Sequence, residues 1–449
     1  MECGARGILS PMPAHMPPKW LYSLIAVSLL VTAVAAAIFR TPDLERQVSR
    51  VQQEVAVIRG LAFKRPIAVS QLSEAEARAF VEREAAKEPG IEDFWAVKRM
   101  LGLYGGPDLA PPEKIYGDLI GLAAGAYDSH TDTFFQFEEL DEQLQRSLFA
   151  HELYHGLQDQ HFDLQAYFVD RSRMPGANYD ELLARQAVVE GEASYIDAIY
   201  LWLMASDSQP TREQLAEIIA AQAEWSPERW EETVLTTELT DKMRARMLRA
   251  IETQKRLPRF MFETFTGAYV DGMAFIHAVH EKGWAEVETL YRGHPPESME
   301  QILHPEKWFA RESPVTIAWQ AFDTEPLFAD WQLLDENVLG ERLWRVVFRE
   351  QGFESEAHSV AAGWGGDRYA VFRNRHDNTY LMLTYTSWDT PEDAAEFGAA
   401  YRRLLETKAR GAQAATLIRG NEVLIVECPL SVSADAFMEF NERAVLTGR

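Results

Sequence analysis

The run His151-Glu152-Leu153-Tyr154-His155 constrains this chain more than any other stretch. It sits inside an amphipathic segment, residues 139–158, that reads as a helix, and on a helix residues four apart share one face. Two imidazoles on one face can hold a single Zn²⁺, and the glutamate between them can poise a water for attack. With 11 histidines in 449 residues, such a pattern arises by accident with a probability of about 2%. Context has to decide, and the context required is a third ligand carried near the first two.

Glu190 fits that requirement. It follows His155 by 35 residues on a second helical stretch, residues 179–204, and its neighbours Ala187, Gly191, Ala193 and Ser194 are small. Small residues let another backbone approach closely, and a glutamate on a second helix completes a His₂Glu set. Glu192 is the fallback if the helical phase differs. Asp159, four residues beyond His155, could brace that imidazole.

The whole chain narrows the setting. Its length allows two or three domains, and 47% hydrophobic with 25% charged residues is ordinary for a globular protein. A formal net charge of −25 excludes a general nucleic-acid binder, which needs a basic face. Cys3 and Cys428 lie on opposite sides of an apolar segment, so neither a disulfide framework nor a cysteine zinc site is expected.

That apolar segment, residues 20–39, carries no charge, and its length matches a ~30 Å hydrocarbon core. Arg6 and Lys19 precede it and Arg40 follows; the positive-inside rule favours a cytoplasmic N-terminus and a body outside, periplasmic or extracellular. Ala35-Ala36-Ala37 resembles a signal-cleavage site, but the run exceeds the ~7–15 residues of a signal-peptide core, so a retained single-pass anchor in the cell membrane is predicted.

Four regions follow: tail and anchor at 1–40, a helical stalk at 41–66, a main domain at 67–319 and a smaller C-terminal α+β domain at 320–449. In the stalk, Leu44, Val48, Val51, Val55 and Ile58 form a heptad seam of little more than two heptads. The seam permits a homodimer through a second copy, or a helix lying on the body; Arg65-Pro66 ends it. In the main domain, Ser73 and Glu76 spell a capping box. Residues 133–137 read as a strand, and 260–282 as an apolar helix carrying His277 and His280, taken as structural. The C-terminal order is α–β–β–α–β–β–α. It opens with a helix at 330–349, and Gly363-Trp364-Gly365-Gly366-Asp367 reads as a turn entering a strand.

Taken together, His151, Glu152, His155 and Glu190 resemble the gluzincin pattern, in which H-E-x-x-H on one helix is completed by a glutamate on the next. More narrowly, HELYHGLQDQHFDL, VEGEA and PPESMEQILHPEKW resemble a group of uncharacterised bacterial membrane-linked metallopeptidases, over residues 72–309. The resemblance implies a mainly α, zincin-like catalytic domain with a small β-sheet. It implies Zn²⁺ held by His151, His155 and Glu190, with Glu152 as general base in cleaving a peptide or protein substrate, an endopeptidase. Strand 133–137 resembles the sheet edge along which such enzymes hold an extended substrate. For the oxyanion donor, His304 is the first candidate and Tyr269 the second.

Two rivals stand beside this reading. His161 lies at the third-ligand spacing of the metzincin pattern H-E-x-x-H-x-x-G-x-x-H. That pattern needs glycine at 158, where this chain has Gln158, which argues for Glu190 instead. The other rival is a catalytically inactive zincin-like protein that binds metal or recognises partners. An intact Glu152 favours the enzyme.

Overall fold

A computed structural model describes residues 42–448, apart from 87–92, 108, 121, 138–141, 207, 224–225, 237–238, 321 and 409–411. The expected anchor lies outside the described residues, among which no helix is long and apolar enough to cross a membrane.

The chain begins with helix α1 (Pro42–Arg59), which stops at Gly60, a residue with φ of 75°. This is earlier than the Arg65-Pro66 end expected from sequence. Its seam residues Leu44, Val48, Val51 and Val55 are buried in one cluster with Phe149, Leu153, Leu157, Ile196 and Tyr200. Of the two arrangements the heptads allowed, the helix takes the one against the body, so this seam is not free for a second copy. Next come β1 (Ala68–Gln71) and α2 (Glu74–Ala85). The capping box forms: the Glu76 amide donates to the Ser73 hydroxyl at 3.3 Å and the Ser73 amide to the Glu76 carboxylate at 3.0 Å.

Helices α3 (Phe94–Met100) and α4 (Pro112–Ile120) lead to the hairpin β2 (Gly125–Asp128) and β3 (Thr133–Gln136). The sheet order is β1-β3-β2, with β1 parallel and β2 antiparallel to β3. Strand 133–137 is therefore central and not an edge: β1, distant in sequence, occupies its other side. The edge at this end of the sheet is β2.

Helix α5 (Glu142–Phe162) carries the two histidines. It runs past Gln158, and the left-handed turn that ends it falls on Asp163, φ 56°. Helix α6 (Tyr179–Ala205) is capped by Asn178, whose side chain accepts from the Glu181 amide at 2.9 Å. Helices α7 (Arg212–Ala223), α8 (Pro227–Thr236) and α9 (Asp241–Arg256) precede α10 (Arg259–His280), which crosses α6 where Gly191 meets Gly272. A Cβ on Gly191 would lie 2.1 Å from the Gly272 carbonyl carbon, so the backbones touch directly. Helices α11 (Trp284–Arg292), α12 (Met299–Leu303) and α13 (Pro305–Ala310) close this helical part.

The C-terminal region is richer in sheet. It contains β4 (Thr316–Trp319), β5 (Trp331–Asn337), α14 (Gly340–Glu350), α15 (Ala357–Ala361), β6 (Trp364–Asn374), β7 (Tyr380–Trp388), α16 (Pro391–Lys408), β8 (Ala412–Arg419), β9 (Glu422–Pro429), α17 (Ala434–Arg443) and β10 (Val445–Gly448). Five strands form an antiparallel sheet in the order β5-β6-β7-β9-β8. Strand β10 pairs with β4, tying residues 316–319 to the region expected from residue 320. The helix expected over 330–349 divides: its first half is β5, and α14 starts only at the positive-φ Gly340. A register shift between Leu333 and Asp335 breaks the alternation that would have marked a strand. Gly363, at φ 77°, does turn the chain into β6. The fold is thus mainly helical with small sheets and a C-terminal sheet-rich region. One buried cluster joins Leu182, Met273 and Phe275 to Leu343, Trp344 and Phe348, so the two parts share a core.

Candidate metal centre

Helix α5 divides its faces. Phe149, Leu153 and Leu157 are buried beside α1, while His151 and His155 face α6. There they meet Glu190. His151 Nε2 and His155 Nε2 are each 3.3 Å from Glu190 Oε2, and 3.1 Å from each other. Four-coordinate zinc with arms of about 2.0–2.1 Å has ligand–ligand edges of about 3.3 Å, so the triangle has the size of one tetrahedral face. Glu190 is fully buried, and its Oε1 has no hydrogen-bond partner. Burial opposes its ionisation, yet the facing imidazoles, His155 foremost, hold its carboxyl well below the usual range. Burial likewise works against the His155 cation, but Glu190 outweighs it and pushes the imidazole up to about 9. Two imidazole nitrogens and a carboxylate oxygen converging at the wall of a cleft suit a divalent cation.

Glu152 lies beside this triangle. Its Oε2 accepts from the Tyr127 amide of β2 at 2.8 Å, and burial raises its pKa. Alternation then turns the Gly125 N–H and C=O to the same outer side of β2; the Phe137 amide bonding Ala124 O at 2.8 Å agrees with that register. Together these groups border a cleft of about 790 Å³, walled by residues 122–126, Leu148, Leu201, Trp202, Ile218 and Phe265. One further carboxylate, Asp197, lines it and accepts from Ser147 at 3.0 Å. A larger cavity of about 980 Å³, between Trp319 and Trp331, contains none of the motif residues.

The remaining candidates separate. Tyr269 of α10 lines the cleft, stacked on His151 with ring centroids 5.7 Å apart. Burial, with the charges of Glu190 and Glu152, raises its pKa, so the hydroxyl keeps its proton. His304 is a correction. It lies between α12 and α13, 3.0 Å from the buried carboxylate of Glu341, and is not part of the cleft. His161 turns away, its Nε2 2.8 Å from the Ala62 carbonyl oxygen. Glu192 is occupied by Arg59 at 2.7 Å and by the Tyr291 hydroxyl at 2.6 Å. Asp159 does not brace His155; it accepts from the Tyr127 hydroxyl and the Leu164 amide, each at 3.0 Å. The brace is Gln158, whose Oε1 is 2.8 Å from His155 Nδ1. Gln158 lies three residues beyond His155 and Asp159 four, and the shorter step is the one in reach. His280 packs on Trp284 and contacts the Tyr195 hydroxyl at 3.2 Å.

Comparison with known proteins adds little to this geometry. Residues 331–438 match a family model described as Domain of unknown function (DUF8575). The match spans β5 into α17 and includes none of the metal-centre residues. No curated protein and no solved structure matches the chain.

A second acidic group, Glu300, Glu312 and Asp389, also converges. Its centre is taken by the Lys307 ammonium, 2.6, 3.1 and 2.6 Å from the three carboxylates.

Proposed function

We propose that this protein is a zinc-dependent peptidase of zincin-like fold, tethered to the membrane by residues 20–39 with its body outside the cytoplasm. The observation that carries the reading is the triangle of His151, His155 and Glu190 at tetrahedral spacing, with Glu152 beside it on the cleft. These three residues would hold the metal. When bound, zinc supplies Lewis acidity toward a substrate carbonyl and lowers the pKa of water.

The chain's own groups do the rest. Gly125 presents peptide groups on the outer edge of β2, where an extended substrate can add as a further strand. This favours a peptide over other hydrolysable substrates. Glu152, anchored on the Tyr127 amide, takes the proton of the attacking water and passes it to the leaving amine. Burial that raises its proton affinity suits both halves of that transfer. Tyr269 offers its retained hydroxyl proton to the developing oxyanion.

Purified full-length protein should contain about one zinc per chain. Glu152→Gln should keep the metal and abolish peptide hydrolysis. Glu190→Ala should lose the metal, and His161→Ala should not. Metal retained without Glu190 but lost without His161 would transfer the third position to His161. Hydrolysis surviving Glu152→Gln would overturn the mechanism, and a zinc-loaded protein that cleaves no peptide would indicate partner recognition instead.

A further inference from the structure

Resting on the metal reading above, we infer that Gln158, Glu192 and Arg59 form a buried positioning relay that holds His155 in its ligating tautomer and makes zinc affinity depend on the docking of α1.

The argument starts at the ring. A neutral imidazole has one donor and one acceptor nitrogen. His155 Nδ1 lies 2.8 Å from Gln158 Oε1. If that atom is the amide oxygen, Nδ1 carries the proton and the Nε2 lone pair faces His151 and Glu190. Amide orientation is settled by the surroundings. Gln158 Nε2 lies 3.1 Å from the Val189 carbonyl oxygen and 3.1 Å from Glu192 Oε2. Both only accept, so a flipped amide would press oxygen against two buried acceptors. The Tyr291 hydroxyl agrees: it donates to Glu192 at 2.6 Å and receives from Gln158 at 2.8 Å.

The next link is charge. Glu192 is fully buried, and a buried carboxylate persists only when paired. Its cation is Arg59, itself 1% exposed, with Nε 2.7 Å from Glu192 Oε1 and 3.1 Å from the Tyr154 hydroxyl. The guanidinium also lies over the Trp284 ring, 4.4 Å from its centroid. Arg59 is the last residue of α1. It reaches Glu192 only because the apolar stripe of α1 is seated on α5 and α6. Displacing that helix would remove the cation, free Glu192 to reorganise, and release the amide that orients His155. Arg59 is bonded to none of the three candidate ligands; it can act on them through Glu192 and Gln158 or through Tyr154, the residue before His155, and a double-variant comparison tells these routes apart.

The test measures zinc affinity by chelator competition in the full-length protein, with the visible spectrum of the Co²⁺-substituted form as a second readout. Gln158→Leu should weaken zinc about 10–100-fold. Arg59→Gln should weaken it about ten-fold, with a shifted cobalt spectrum, and Arg59→Lys should recover part of the loss. In the Gln158→Leu background, Arg59→Gln should add nothing, because the link is already cut; this comparison separates the relay from a general loss of stability. Equal losses from Arg59→Gln in both backgrounds would overturn the relay. So would wild-type affinity in Gln158→Leu. Should Arg59→Gln fail to fold, Glu192→Gln, which keeps the volume, replaces it in the same cycle. A wild-type protein that takes up no zinc would overturn the metal reading itself, which is a different result from a relay that fails in a zinc-binding protein.

Discussion

Replacing Gly191 by alanine tests how α6 delivers Glu190 to the two imidazoles. At an open position inside a helix this change stabilises, by about 1 kcal/mol. Gly191 is not open. An added Cβ would lie 2.1 Å from the Gly272 carbonyl carbon and 2.5 Å from both its Cα and its oxygen, whereas ordinary contact begins at 3.4 Å. The two helices must therefore separate by about 1.3 Å, by the same contact distances. Backbone cannot step aside by changing rotamer, so the penalty falls at the upper end of the ~1–3 kcal/mol typical of overpacking. Net of the propensity gain, the loss should be about 2 kcal/mol. Separation also draws Tyr269 off His151 and disturbs Glu190, the residue before Gly191, so zinc affinity should fall with stability. Urea denaturation and chelator competition on the same preparations measure both. A variant as stable as the wild type, binding zinc equally well, would show that the Gly191–Gly272 contact does not set the position of Glu190.

Two further outcomes follow from the placement of side chains. Tyr269→Phe should keep its zinc and lose about 10²–10³-fold in kcat, the usual cost of one oxyanion donor; an unchanged kcat would remove Tyr269 from the reaction. His304→Ala should leave zinc and kcat unaltered but cost about 1 kcal/mol, because buried Glu341 loses the half-buried His304 while keeping Arg345. The hydrogen bond to Glu341 raises His304 above its ordinary 6.5, so this contribution is full below pH 6.5 and is lost as pH rises through the raised value. The alanine variant should flatten that part of the stability profile; a fall in kcat with unaltered stability would return His304 to the reaction.

The local parts of this architecture were legible in the sequence. The capping box of α2 and the shared face of His151 and His155 depend on neighbours within a turn, where period and propensity act. What escaped was decided by distant partners. Strand 133–136 looks like an edge until β1, more than sixty residues earlier, pairs with it. His304 looks free until Glu341 closes on it. Strand β5 was hidden because its bulge interrupts the alternation that identifies a strand. The stripe on α1 was readable, but an apolar seam records only that it will be covered, and either a second copy or α5 would satisfy it.

Gln158 shows how one residue can be read correctly for exclusion and incompletely for function. As a non-glycine at the position where the metzincin pattern must turn, it argued against His161, and α5 does continue through it to Phe162. A glycine there would allow the turn that the metzincin pattern requires but could not brace an imidazole. Glutamine keeps the helix intact and offers, one turn beyond His155, an acceptor for Nδ1 and donors for Val189 and Glu192. Continuing the helix also carries His161 onto a face where its ring meets Ala62 rather than the metal centre. On the proposed reading, the choice between a third histidine and a distant glutamate turns on a position that supplies no ligand: Gln158 lies within α5 where the metzincin pattern needs a turn, and it also orients His155 toward Glu190.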